Sequence, residues 1–378
     1  MPTRIGCLGG GQLGRMLALA GHPLGLEFTF LDPARGAPAG QVAEQLVGNF
    51  DDPELLRRLG EISDLVTFEF ESVPEASASL LVTYAPVFPP PMALRVGQDR
   101  LLEKQLFARL GIPAAEYRQV DGLGDLQQAW RQIGSGSRLK ARRLGYDGHG
   151  QTRVAAFQEL ETAWHEVGGV AAILERELQF DRELSIVGVR SGTGNSAFYP
   201  LTENHHLDAV LRCSLAPAPQ SAELQGRAEA ICGRILEALD YRGVLAVELF
   251  QLGGDLLANE IAPRVHNSGH WTQDGAVTSQ FENHLRAGLS WPVGLTGARG
   301  KTVMINVLGR LPNPAELLAI PGAHLHLYGK AERPGRKLGH LNLVGEDGSQ
   351  VTSAAVKAAS LLGVVLPTPR YGDSFWPS

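Results

Sequence analysis

Gly243–Val244–Leu245–Ala246–Val247–Glu248–Leu249–Phe250 is followed by the turn Gly253–Gly254–Asp255. The chain then continues as Leu256–Leu257–Ala258–Asn259–Glu260–Ile261–Ala262–Pro263–Arg264–Val265–His266–Asn267–Ser268–Gly269–His270–Trp271. The apolar octet predicts a strand, the glycine pair a hairpin turn, and the next segment an antiparallel return. Glu248 and Glu260 then sit on paired strands and can face the same side. Two carboxylates held that close repel unless a cation lies between them. Oxygen ligands that also bridge substrate phosphates suit Mg²⁺. From Asn259 to Trp271 the run gathers a carboxylate, a guanidinium, two imidazoles and two carboxamides. A plainer alternative is a polar loop after a hairpin, with Glu248 facing solvent.

The chain has 378 residues, enough for two or three domains with sizeable cores. A hydrophobic content of 44% with 20% charged residues reads as globular. The net charge of -6 offers no basic excess to neutralise a phosphate backbone, so no nucleic-acid partner is expected. Cys7, Cys213 and Cys232 are scattered, with neither metal spacing nor a disulfide framework, and read as small buried hydrophobes. Met1–Pro2–Thr3–Arg4 runs straight into a strand, with no signal-peptide core, and no apolar run is long enough to span a bilayer. A cytoplasmic protein without a membrane partner is the expectation.

Ile5–Gly6–Cys7–Leu8 predicts a strand, Gly9–Gly10–Gly11–Gln12–Leu13–Gly14 a turn, Arg15–Ala20 a helix, and Glu27–Leu31 a strand ending at Asp32. This βαβ pattern matches G-x-G-x-x-G. One reading is a dinucleotide site with Asp32 on the ribose. The weaker one is that the loop amides and helix N-terminus face an anion such as a phosphate. Leu65–Phe68 predicts a strand running into Glu69–Phe70–Glu71, and alternation puts both glutamates on one face. Pro86–Pro91 reads as a linker, and Gln98–Phe107 as one helix. Lys140 lies on a strand before Gly145–Tyr146–Asp147–Gly148–His149–Gly150–Gln151, a glycine-dense loop able to close over phosphates. Glu203–His206 reads as a polar cluster between strands, and Arg333–His340 as an anion clamp. His266 and His270 are four apart, but Gly269 between them and the lack of a following glutamate base argue against a zinc helix.

In this order, the first glycine loop with Arg15, the loop Gly145–Gln151, the run Asn259–Trp271 and Tyr328–Gly329–Lys330 resemble the ATP-grasp ligases of purine biosynthesis. The match is closest to the 5-(carboxyamino)imidazole ribonucleotide synthases and runs from about Ile5 to about His340. The resemblance implies a mixed α/β and α+β chain in three parts. An N-terminal doubly wound, Rossmann-like pre-ATP-grasp domain would span residues 1–97. An ATP-grasp domain, holding ATP between two antiparallel sheets, would span 98–292. A small C-terminal domain packing on the first would span 293–378. It also implies that the first glycine loop helps hold a ribose phosphate rather than a dinucleotide.

By the same resemblance, ATP would meet Arg100, Lys140, the loop Gly145 to Gln151 and an adenine hinge of Glu175, Arg176, Glu177 and Leu178. Glu183 would bind ribose, His206 would complete a Glu-Asn-x-His motif, and Glu248 with Glu260, beside Asn259, would hold Mg²⁺, two ions being expected. Substrate contacts would be Gln12, Leu13, Glu69, Arg264, His266, Asn267, Ser268, Lys330, Arg336 and Lys337, with Glu71 the alternative to Glu69. Lys140, Tyr146, Asp147, Arg264, His266 and Lys330 would be catalytic, the last three as positive or proton-donating groups. The implied reaction is carboxylation of the exocyclic amine of 5-aminoimidazole ribonucleotide by ATP and bicarbonate through carboxyphosphate. Relatives imply a homodimer. His149 departs from the basic residue usual there. The competing readings are a formate-dependent glycinamide ribonucleotide ligase, which carries Asp at position 267 and Glu at position 12, and an ATP-binding regulator without catalysis.

Overall fold

The computed structural model describes residues 2–145 and 149–377. Tyr146, Asp147 and Gly148, expected on the phosphate loop, lie outside the described residues. β1 (Arg4–Leu8), β2 (Glu27–Asp32), β3 (Glu44–Val47) and β4 (Leu65–Phe68) form a parallel sheet in the order β3-β2-β1-β4. β1 is buried after Arg4 and β4 throughout, which is what apolar runs in a helix-covered parallel sheet require. The helix Gln12–Gly21 follows β1 directly.

The proline-rich stretch is not a free linker. Val66 N donates to the Pro86 carbonyl and Phe88 N to the Val66 carbonyl, at 2.8 and 2.9 Å, which extends the sheet beyond β4. Proline is tolerated because Pro86 only accepts while Phe88 supplies the N–H. The helix expected from Gln98 is also divided. Pro91–Gly97 ends one helix, Asp99 turns extended and accepts from Leu101 N at 3.0 Å, and a second helix runs Arg100–Arg109.

β5 (Tyr117–Val120), β6 (Ser137–Ala141), β7 (Gln151–Val154) and β8 (Ala172–Arg176) make a small antiparallel sheet ordered β5-β8-β6-β7. The large antiparallel sheet contains β9 (Arg182–Arg190), β10 (Ser196–Phe198), β11 (Thr202–Leu207), β12 (Val210–Ala216), β13 (Gly243–Leu252) and β14 (Asp255–Ala262). β15 (Lys301–Leu308), β16 (Ala323–Leu327) and β17 (Lys337–Gly345) continue it. The order is β14-β13-β9-β11-β12-β15-β17-β16, with β10 on β9. Glu203–His206 therefore lies within a strand, β11, whose register shifts between His205 and His206.

Met16, Leu17 and Phe28 share a core with Val187, Trp271, Phe281 and Leu285, so the N-terminal layer is welded to the large sheet. Each such buried side chain contributes about 1.5–3 kcal/mol. The C-terminal strands reach the N-terminal layer through Gln41 Nε2, which donates to the Gly329 carbonyl at 2.9 Å. Cys7, Cys213 and Cys232 are buried and free. Among the described residues no helix is long and apolar enough to cross a membrane.

Candidate active site

The small sheet, the large sheet and the end of β4 enclose a cleft of about 1280 Å³. Of the residues singled out from sequence, it is lined by Gln12, Leu13, Arg100, Lys140, Gly145, His149, Gln151, Glu175, Arg176, Glu177, Leu178, Glu183, His206, Glu248, Asn259, Glu260, Arg264, His266, Asn267 and Lys337. Gly150 lies beside it with φ +68°, its carbonyl accepting from Ala141 N at 2.8 Å.

The hairpin β13–β14 sets Glu248 and Glu260 directly opposite each other. Burial first, then the charge of Glu260, pushes Glu248 up to about 7. Arg100 Nη1 sits 3.2 Å from Glu260 and His266 Nε2 3.6 Å from Glu248. Among the described residues no group of three or more His, Cys, Asp or Glu side chains is placed to hold a metal by itself. A carboxylate pair that needs phosphate oxygens and water to complete a coordination shell fits Mg²⁺.

Across the cleft, Lys140 on β6 pairs with Glu175 on β8. Lys104, from the helix Arg100–Arg109, holds the other oxygen of Glu175 at 2.6 Å. Burial opposes the charge of Glu175, but the two lysines outweigh it and hold the carboxyl at about 2. Burial lowers Lys140 against the pull of Glu175. Glu183 contacts His206 Nδ1. Burial disfavours a charged His206, yet Glu183, Glu248 and Glu260 raise its pKa above the ordinary value. Phe180 and Phe250 stack at 4.5 Å on the same wall.

His266 is oriented by a buried chain of hydrogen bonds. Ser214 Oγ donates to Asn204 Oδ1 at 2.8 Å, and Asn204 Nδ2 to Ser185 Oγ at 2.9 Å. Ser185 Oγ donates to Ser268 Oγ at 2.8 Å, and Ser268 Oγ lies 2.9 Å from His266 Nδ1. Each hydroxyl has one proton, so the chain runs one way and leaves Nδ1 as acceptor and Nε2 as the N–H. Burial first, then Arg264, lowers His266 to about 3, which favours the proton-donating alternative over the positive one for this imidazole. Ser268 is fully buried in this chain and does not line the cleft. The Asn267 side chain lines it, and among the described residues neither Oδ1 nor Nδ2 has a hydrogen-bond partner.

The glutamates after β4 exchange their expected places. The strand ends at Phe68, so alternation does not continue. Glu69 turns inward, 6% exposed, and accepts from Gly11 N at 2.6 Å and Gly14 N at 2.8 Å. Glu71 lines the cleft and makes a two-pronged pair with Arg264, whose Nη2 lies at 2.8 Å. Burial opposes it, but Arg264 lowers Glu71 to about 2. Asp32 accepts from Gly10 N and Ala34 N, both at 2.8 Å. The anions that these loop amides meet are thus carboxylates of the chain itself, and the dinucleotide reading loses its ribose acid. Lys330 donates to Gln12 Oε1 and stands 5.9 Å over the Tyr328 ring. Arg336 bonds the Ala331 carbonyl at 3.3 Å and does not line the cleft. Sequence reasoning passed over Lys104, Glu103, Phe180 and Tyr328. Only Tyr328 stood in a quoted motif.

Two antiparallel sheets closing on a cleft, with lysine and arginine facing a carboxylate pair, define an ATP-grasp ligase. The ATP-grasp domain family matches residues 105–281. The ribonucleotide synthetase preATP-grasp domain matches 1–98, and the phosphoribosylaminoimidazole carboxylase C-terminal domain 302–354. The N5-carboxyaminoimidazole ribonucleotide synthase of Pseudomonas aeruginosa is 46% identical over 359 residues, 95% of this chain and 99% of that protein. The crystal structure of the Thermus thermophilus synthetase superposes with a TM-score of 0.93 at 52% identity, covering 96% of this chain and 99% of that one. The Aspergillus clavatus synthase, crystallised with ADP and 5-aminoimidazole ribonucleotide, gives a TM-score of 0.89 at 29% identity over 96% of this chain and 99% of that one. The chain belongs to the N5-carboxyaminoimidazole ribonucleotide synthase family of ATP-grasp ligases.

Proposed function

We propose that this enzyme carboxylates the exocyclic amine of 5-aminoimidazole ribonucleotide with ATP and bicarbonate through carboxyphosphate. The products are 5-(carboxyamino)imidazole ribonucleotide, ADP and phosphate, in purine biosynthesis. The observation that carries this reading is one cleft that joins the Lys140 side, the Glu248–Glu260 pair and the Arg264–His266–Asn267 run. Bicarbonate is a poor electrophile, and transfer of the terminal phosphoryl of ATP gives its carbon a leaving group. Lys140, Arg100 and the described ends of the loop, Gly145 and His149 to Gln151, would hold the phosphates. Glu248 and Glu260 would hold Mg²⁺, which neutralises charge on phosphate oxygens when bound. The amine then forms the C–N bond as the C–O bond to phosphate breaks, or attacks CO₂ freed from the intermediate, and the released phosphate takes up the proton that the amine gives up. His266 offers its Nε2–H to developing negative charge, and Arg264 and Lys330 supply fixed positive charge. The Asn267 amide offers one donor and one acceptor to a ligand that presents both.

ATP hydrolysis with Mg²⁺ and bicarbonate is expected to rise strongly when 5-aminoimidazole ribonucleotide is added. Stimulation only by glycinamide ribonucleotide with formate would move the chain to the sister ligase, and ATP binding without turnover to the regulator reading. Glu260→Gln is expected to lower turnover by about 10²-fold or more while circular dichroism stays that of the parent. A near-normal rate would reject the metal assignment. The same reading places a homodimer in the cytoplasm, and a monomer in sedimentation equilibrium would reject that state.

A further inference from the structure

Glu175 is 6% exposed and carries two ammonium groups, Lys104 on Oε1 and Lys140 on Oε2. A buried carboxylate needs one charged partner, and a second is surplus. The two lysines are not equivalent. Lys140 has a side chain 12% exposed and lines the cleft, whereas Lys104 is 3% exposed and does not. Lys104 is also tied from the other direction, since its Nζ donates to the Asn259 carbonyl on β14 at 3.0 Å. It therefore bridges the small and large sheets from a buried position outside the cleft lining. The helix Arg100–Arg109 puts Arg100, Glu103 and Lys104 on one face by i, i+3, i+4 spacing. Glu103 is itself occupied, accepting from Ile261 N at 2.6 Å.

We propose that Lys104 is the standing counter-ion of Glu175, a positioning residue that frees Lys140 to leave that carboxylate for a nucleotide phosphate. With Lys104 in place, the departure of Lys140 leaves a paired carboxylate. Without it, the departure strands a buried charge, and Lys140 stays where it is. Arg100 and Lys104 already oppose the charge on Lys140, so this cluster holds a positive surplus ready for an anion. The inference rests on Lys140 as a phosphate ligand.

The test measures ATP affinity by calorimetry and steady-state rates on the full chain with Mg²⁺. Lys140→Met is the control: unchanged affinity there would reject the phosphate-ligand reading itself, whatever Lys104 does. Lys104→Met is expected to weaken ATP binding and raise KM for ATP by about tenfold or more, with kcat at saturating ATP within about threefold. In a Glu175→Gln background the same substitution is expected to change ATP affinity by less than about threefold, because no charge remains to be compensated. Parental affinity in Lys104→Met, or a loss of about tenfold in both backgrounds, overturns the proposal. If Lys104→Met alone does not fold, Glu175→Gln against Lys104→Met/Glu175→Gln decides by the same threshold.

Discussion

Glu248 keeps a carboxyl whose ionisation is opposed first by burial and second by Glu260, so it titrates at about 7 rather than 4.5. Between those values the folded chain holds a proton that the unfolded chain releases. The contribution to stability is therefore full below about pH 4.5 and is lost as pH rises through about 7. Glu248→Gln, measured by urea unfolding without Mg²⁺ or nucleotide, is expected to be more stable than the parent at about pH 8 by about 1–3 kcal/mol. The advantage should vanish by about pH 4.5, and turnover should be lost at every pH. Equal stability at the higher pH would show that the two carboxylates do not strain each other. The facing of Glu248 and Glu260 was legible in the sequence because a hairpin with a glycine turn fixes which residues stand opposite. The charge state of His266 was not, because it depends on burial and on a hydroxyl chain assembled from β9, β11, β12 and the turn after β14. Lys104 was hidden for a similar reason: a lysine beside a glutamate on a helix reads as solvated until the facing strands are known.

The glycine loop and the helix Gln12–Gly21 work as an element only because carboxylates cap them. Gly9 has φ +96°, and a Cβ on Gly14 would come within 2.9 Å of the Phe30 ring, so the turn admits little else. Sequence pattern located this strand, turn and helix, and the loop's taste for an anion. It did not show that Asp32 and Glu69 are that anion, since period-two reasoning assumed a strand that stops at Phe68. Glu69→Gln keeps one oxygen acceptor but turns amide donors on either the Gly11 or the Gly14 N–H. The expected cost is about 1–3 kcal/mol of stability, with ATP affinity unchanged. Thermal unfolding alongside nucleotide titration checks it. Parental stability with a raised KM for 5-aminoimidazole ribonucleotide alone would instead return Glu69 to the substrate.

At the scale of the molecule, sequence order and spacing conveyed a parallel N-terminal sheet and one hairpin, and the family resemblance implied two antiparallel sheets after it. They did not convey that β15–β17 continue the large sheet, since strand order across a sheet is set by long-range pairs such as Cys213 with Ile305. Nor did they convey how the layers are clamped. Arg264, after β14, reaches Glu71, after β4, and joins the large sheet to the N-terminal layer through a pair separated by 193 residues. Removing one partner leaves the other partly buried and unpaired, and a side chain of Glu71 that is 34% exposed softens the cost. Arg264→Met is therefore expected to lose about 1–3 kcal/mol of stability. Because Glu71 is held at about 2, its stabilising contribution is present above about pH 4.5 and is lost only as pH falls toward 2, so this loss should not vary between about pH 5 and 8. That separates it from the Glu248 effect. Arg264→Met/Glu71→Gln should regain most of the stability by removing both charges, while carboxylation stays at least about 10²-fold below the parent because the guanidinium is gone. Recovery of both stability and rate in the double variant would reduce Arg264 to a clamp. Recovery of stability alone would give it two separable roles, joining the layers and meeting the charge that develops between them.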